Sequence, residues 1–218
     1  MIKVVMAREP FPTAPGPSVF LAGPTPRLGG PVESWRPAAI AELDRQWRED
    51  ATLTVFSPES RGGIRAEHYD DQVGWESAAR EASSVVLFWI PRDLDHMPGF
   101  TTNVEFGLDV AARKVVLGCP PDCPNPERNR YLKWVAQRHG APVRDTLQGT
   151  VAAALEFARP TDRLFIDYMT AFEASVLHTS SCPACGNDQP CEEGEAVWTL
   201  FVELQDQWKS RSATSLTT

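Results

Sequence analysis

The chain has 218 residues, 42% of them hydrophobic and 23% charged, with 29 acidic side chains against 21 Lys and Arg and a net charge of -8. That is the make-up of an ordinary globular protein with one sizeable core and a smaller appendage, and its acidity argues against nucleic acid or an anionic membrane as the main partner. No apolar run approaches the ~20 residues of a membrane span, and the Pro-rich start MIKVVMAREPFPTAPGP lacks the apolar centre of a secretory signal, so a cytoplasmic location is expected.

Residues 1–17 are Pro-rich and expected to be loosely ordered. Residues 18–23 (SVFLAG) read as the first strand, ended by Gly23-Pro24-Thr25. A glycine there lets the backbone approach a ligand closely, and a plain strand-ending turn is the alternative. Ser34 is positioned to cap a helix whose apolar residues Ile40, Leu43 and Trp47 follow helical spacing. LTVFS (53–57) is the second strand, and the polar loop after it holds Arg61-Gly62-Gly63, readable as a phosphate cradle or as a solvated turn. A helix over 72–82 carries Trp75 and Glu76 and leads into VVLFWI (85–90), a run of the kind a strand buried on both faces shows. After a loop of Pro, Asp, His and Gly, a helix begins around Thr101 with Glu105 in its first turn, followed by a short strand over 114–118. A Pro-rich loop, a helix over 131–138, a short strand at Val143 and a helix over 146–157 complete the pattern.

Strand and helix signals alternate about five times, which predicts an α/β fold: a flavodoxin-like, doubly wound, mostly parallel five-stranded sheet. The domain is expected over 18–158, with a boundary near 159–162. Two apolar stripes, Leu164/Tyr168/Phe172/Val176 and Val197/Leu200/Phe201/Leu204/Trp208, predict a helical hairpin over 163–209 with a Cys-rich link and a tail over 210–218.

Ligands of open α/β sheets bind at the carboxyl ends of strands, so the loop and helix after 85–90 are where chemistry is sought. Two readings of Glu105 compete. Thr102-Asn103-Val104-Glu105 fits a capping box, in which Thr102 caps the helix and Glu105 reaches back to it. Alternatively, a carboxylate at a strand end can attack the anomeric carbon of a nucleoside and form a glycosyl ester as the base departs. The second carboxyl such chemistry needs is then Glu76, Asp93 or Asp95.

The ordered set Phe20-Leu21-Ala22-Gly23-Pro24-Thr25, Gln72-Val73-Gly74-Trp75-Glu76, Leu87-Phe88-Trp89-Ile90-Pro91, Thr101-Thr102 and Val104-Glu105-Phe106-Gly107 resembles the nucleoside 2-deoxyribosyltransferase-like family over about residues 18–158. The resemblance implies Glu105 as nucleophile and Glu76 as the assisting acid, with a nucleoside or nucleotide as substrate and no cofactor for catalysis. It further implies substrate contacts from Gly23, Pro24, Thr25, Trp75, Asp95, Thr101 and Thr102. Asn129 is the candidate for a residue that completes a neighbouring subunit's site in a homo-oligomer. Where family members carry a base-contacting aspartate just before the nucleophile, this chain has Gly99 and Phe100. If the substrate carries a phosphate, Arg27, Arg61 and Arg65 are available to bind it.

Near the C-terminus, His178-x3-Cys182-x2-Cys185-x5-Cys191 offers one His and three Cys, a set suited to a tetrahedral structural zinc. HTSSCPAC resembles the H-x3-C-x2-C motif of zinc-associated anti-sigma domains; free or redox-labile thiols are the alternative. Cys119 reads as a packing residue, Cys123 has no assigned role, and His68, His96 and His139 read as loop histidines. Two functions from different classes follow: an N-glycosyl transferase or hydrolase using Glu105, or a non-catalytic nucleotide-binding sensor with a zinc or redox-responsive hairpin.

Overall fold

The computed structural model describes residues 1–13, 16–27, 29–63, 67–112, 114–187 and 189–215. Six strands form one parallel sheet: β1 (Ile2–Met6), β2 (Ser18–Ala22), β3 (Leu53–Ser57), β4 (Val85–Trp89), β5 (Val115–Gly118) and β6 (Val143–Arg144). Their order is β1-β3-β2-β4-β5-β6. Without β1 this is the flavodoxin-like order, with its topological switch point between β2 and β4. The helices of this part are α1 (Arg36–Gln46), α2 (Tyr69–Ala82), α3 (Phe100–Asp109), α4 (Arg130–Arg138) and α5 (Leu147–Ala158).

The sheet has one strand more than the five expected, and the addition lies in the stretch expected to be loosely ordered. Ile2 to Met6 pair in register with Leu53 to Ser57. Being at the edge, β1 buries only Val5 fully, so its pattern is weak beside the prolines that follow.

β2, β3 and β4 are buried along their whole length, and alternate side chains enter two cores. Val19, Leu21, Val85 and Leu87 pack with Leu43 of α1 and Val151 and Leu155 of α5. Phe20, Ala22, Val86 and Phe88 pack with Ala79 of α2, Phe106 of α3 and Leu132 of α4. Helices therefore cover both faces, as a parallel sheet requires.

The chain divides into two compact units, Met1–Ala158 and Arg159–Thr218. The second is a helical hairpin of α6 (Pro160–Ser181) and α7 (Glu192–Ser215). It is held by aromatic contacts: Phe165 with Trp208 at 4.8 Å, Tyr168 stacked on Phe201 at 5.7 Å and Phe172 with Phe201 at 5.6 Å. Among the described residues no helix is long and apolar enough to cross a membrane.

Candidate active site

At the switch point, β2 runs out into Gly23-Pro24-Thr25. Gly23 has φ +150°, and a Cβ on it would run into the Trp89 carbonyl oxygen and the Trp35 ring, so only glycine lets the strand end lie this close to β4. Trp35 Nε1 donates to the Pro24 carbonyl at 3.0 Å. Beneath the turn, Arg36 is 1% exposed. It donates to the carbonyls of Leu21 (3.2 Å) and Gly23 (2.7 Å), to Thr25 Oγ1 (3.1 Å) and to Glu59 Oε1 (3.0 Å).

The opposite wall comes from α2 and α3. Gln72, Glu76 and Arg80 recur at four-residue spacing and share one face of α2. Gln72 Nε2 donates to Glu76 Oε1 (2.6 Å) and to the Pro58 carbonyl (2.8 Å), while Arg8 Nη1 donates to Gln72 Oε1 (2.9 Å). On α3, Phe106 faces the sheet and meets the Phe88 ring edge-on at 5.2 Å, which turns its neighbour Glu105 toward the cleft.

The start of α3 corrects the capping-box reading. The helix begins at Phe100 behind Gly99, which adopts the left-handed conformation at φ 63°. Thr102 therefore lies inside the first turn and is buried, and Glu105 stands in the second turn, beyond reach of the cap. The cause is tertiary. The buried Arg92 donates to the carbonyls of Pro98 and Gly99, to Asn103 Oδ1 (2.7 Å) and to Asn129 Oδ1 (3.0 Å), fixing the loop that delivers the helix.

Glu105 Oε1 lies 3.2 Å from Arg80 Nη1. Burial pushes the Glu105 carboxyl above its ordinary range, Glu76 adds to the rise, and Arg80 opposes it. Glu105 is thus a largely buried carboxyl held by an arginine, one turn further into the helix than expected.

A cavity of about 660 Å³ brings together Gly23, Pro24, Thr25, Glu76, Thr101, Thr102 and Glu105, with Arg36 and Arg80 also in its wall. A second cavity of about 810 Å³ shares Thr25, Arg27, Gln72 and Glu76 with it. Three expected contacts lie elsewhere. Trp75, one residue round the helix from Glu76, packs between Phe11 and Phe56 and donates to the Glu9 carbonyl at 3.0 Å. Asp95 is exposed in a turn organised by Asp93, whose Oδ1 accepts from the Asp95 and His96 amides. Asn129 is 1% exposed and spans Arg92 and the Ile90 carbonyl, which ties it into its own chain. Among the arginines considered for phosphate, Arg27 lines both cavities, Arg61 pairs with Glu9 at 2.8 Å, and Arg65 lies outside the described residues.

The buried arginines 36, 80 and 92 were not legible as site residues, because arginine on a helix or loop ordinarily faces water. One signal was available. Glu76 with Arg80, and Glu105 with Asp109, are each four apart, so each helix carries two charges on one face.

In the second unit, one ligand atom each from His178, Cys182, Cys185 and Cys191 lie within 4.8 Å of one another. Sulfur separations are 3.9 Å for Cys182–Cys191 and 3.7 Å for Cys185–Cys191, and His178 Nε2 is 3.3 Å from Cys191 Sγ. Thiolates about 2.3 Å from a tetrahedral ion stand roughly 3.8 Å apart, so the four residues could hold a metal ion. Backbone N–H groups of Cys185 and Ala184 pull the Cys182 thiol down to about 7, toward the form that binds metal. Gly194, in the first turn of α7, went unnoticed in the sequence. A Cβ there would come within 2.5 Å of Cys185 Sγ and 3.0 Å of His178 Nε2. Burial pushes the Cys119 thiol up to about 12, which fits a packing role.

Residues 16–123 match the family described as nucleoside 2-deoxyribosyltransferase like, a stretch that contains every residue lining the first cavity. No curated protein matches the chain. Over that stretch of its α/β unit, the chain is similar to the nucleoside 2-deoxyribosyltransferase-like family.

Proposed function

We propose that the protein is an N-glycosyl transferase or hydrolase acting on nucleosides or nucleotides, with Glu105 as nucleophile. The observation that carries this reading is the meeting of two carboxyls, Glu105 and Glu76, in one cavity with the Gly23-Pro24-Thr25 turn at the switch point of the sheet. A Glu105 oxygen bonds to the anomeric carbon as the C–N bond breaks, and the bond's electron pair leaves with the base. Glu76, braced by Gln72, handles the proton that the departing base takes up. A second nucleobase or a water then attacks the same carbon and frees Glu105. Gly23, Pro24, Thr25, Thr101 and Thr102 are the substrate contacts of this proposal, and Arg27 is available to a phosphate.

His178, Cys182, Cys185 and Cys191 would hold a structural zinc in the hairpin. Four protein ligands leave no open position on such an ion, so its contribution is stability and no catalytic step involves it. Homo-oligomerisation belongs to the same proposal. It is supported by Phe100, Val104 and Leu108 along α3, an exposed apolar stripe that edges the first cavity, where a neighbouring copy would cover the site.

The test is chromatography of free base from a panel of nucleosides and nucleotides, each with and without a second nucleobase. New nucleoside in the presence of acceptor identifies a transferase, and base release in water alone a hydrolase. Glu105→Ala should abolish both while keeping the wild-type circular dichroism spectrum; wild-type turnover by that variant would sink the nucleophile assignment. Failure of the wild-type protein on the whole panel would favour the nucleotide-binding sensor.

A further inference from the structure

α2 and α3 meet along one wall of the cleft, bridged by Arg80, and each carries two charges one turn apart. Glu76 and Arg80 are on α2, and Glu105 and Asp109 are on α3. The Arg80 side chain is 10% exposed and those of Glu105 and Asp109 are 19% and 15%, so the group is largely withdrawn from solvent. The guanidinium stands between the two acids of α3, Nη1 at 3.2 Å from Glu105 Oε1 and Nε at 3.0 Å from Asp109 Oδ2. The Asp109 contact is one of charge only, because Nε and Oδ2 are not aligned for a hydrogen bond and neither has another hydrogen-bond partner among the described residues. One cation thus answers two carboxylates, while Glu76 faces the same space from α2.

We infer that Arg80 is a positioning residue: it aims the Glu105 carboxylate into the cavity and supplies its counter-charge, and Asp109 sets how much of that cation Glu105 receives. This rests on the reading of Glu105 as the nucleophile. A buried carboxyl beside Glu76 and Asp109 takes up a proton readily, and a protonated Glu105 has no charge with which to attack an anomeric carbon. Arg80 opposes that from α2, and Arg36 opposes it from α1. Lys114, just before β5, acts on Asp109 and donates to the carbonyls of Arg80, Glu81 and Ser83, which pins the end of α2 that carries Arg80. Were Arg80 instead a direct contact to a substrate anion, its replacement would weaken substrate binding without moving the Glu105 midpoint. A clamp on Glu105 acts only where Glu105 titrates.

The experiment is carboxyl-carbon NMR titration of the full chain labelled at Asp and Glu, with the Glu105 resonance identified by its loss in Glu105→Gln. Arg80→Met should raise the Glu105 midpoint, Arg80→Lys should raise it less, and Asp109→Asn should lower it. Opposite signs from two substitutions in one cluster are not a signature of general loosening. Should Arg80→Met fail to fold, Arg80→Lys and Asp109→Asn carry the same test. In turnover, Arg80→Met should lose about tenfold or more of its rate on the acid side relative to its own alkaline plateau, the size expected when a facing charge is removed. A Glu105 midpoint unmoved in folded Arg80→Met, or a rate loss uniform across pH, overturns the clamp. Midpoints that move as expected while the acid limb of turnover stays fixed would leave the clamp standing and overturn Glu105 as the reacting group.

Discussion

At Glu105 burial and chemistry pull in opposite directions. The carboxyl is held above its ordinary range by burial and by Glu76, so the folded chain binds this proton more tightly than the unfolded chain does. The sign follows: stability is greatest with Glu105 protonated and falls as pH rises from the unfolded carboxyl range through the folded one. Glu105→Gln, which mimics the protonated state, should therefore be more stable than the wild type at neutral pH, with the gap closing as pH falls. Urea unfolding at several pH values checks this, and a gap independent of pH would count against it. Arg36 makes a different case, since two of its four hydrogen bonds go to main-chain carbonyls at the strand end. Arg36→Met strands the Leu21 and Gly23 carbonyls and leaves Glu59 without its cation, at a cost of about 2–4 kcal/mol in urea unfolding.

At the scale of elements, the segment before β2 supports the wall that carries Glu76. Phe11 lies 5.2 Å from the Phe56 ring and 5.6 Å from Trp75, so the chain entering β2 braces the back of α2. Phe11→Ala should cost about 1–2 kcal/mol, below the range for a fully buried ring because this one is partly exposed. It should also raise hydrogen exchange along α2 while leaving α4 unchanged. This contact was hidden in the sequence for the same reason as β1: an edge element is held by one neighbour, so neither carries the two-faced apolar run that made β3 and β4 readable. The start of α3 failed differently. Thr102-x-x-Glu105 is a sound local signal, but Arg92 draws the Pro98 and Gly99 carbonyls together and moves the helix start upstream, a decision made by residues far apart in the chain. Periodicity placed the Gly23 turn at a strand end and Glu76 and Glu105 on helices, and the family resemblance selected Glu76 over Asp93 and Asp95; the fold brings all three into one cavity wall. Trp75 and Asp95 are adjacent in sequence to the elements of the cleft but do not line its cavity, and Asn129, expected to serve a neighbouring subunit, bonds to Arg92 and Ile90 of its own chain.

At the scale of the molecule, the chain holds two units stabilised by different means. Met1–Ala158 has cores on both faces of a six-stranded sheet, whereas the hairpin has a few aromatic contacts and the clustered His178, Cys182, Cys185 and Cys191. Two helices with so small a core gain most from a metal staple, and thiolate ligands tie that gain to the ion itself. Protein purified without added metal should carry about one zinc per chain by elemental analysis. A strong chelator should then remove the helical signal of α6 and α7 while the sheet unit keeps its cooperative unfolding transition, and Cys182→Ser should do the same without chelator. Base release should survive both treatments, because every residue lining the cavity belongs to the first unit. Loss of base release on chelation, with the first unit still folded, would mean that the hairpin contributes to catalysis and that the independence argued here is wrong.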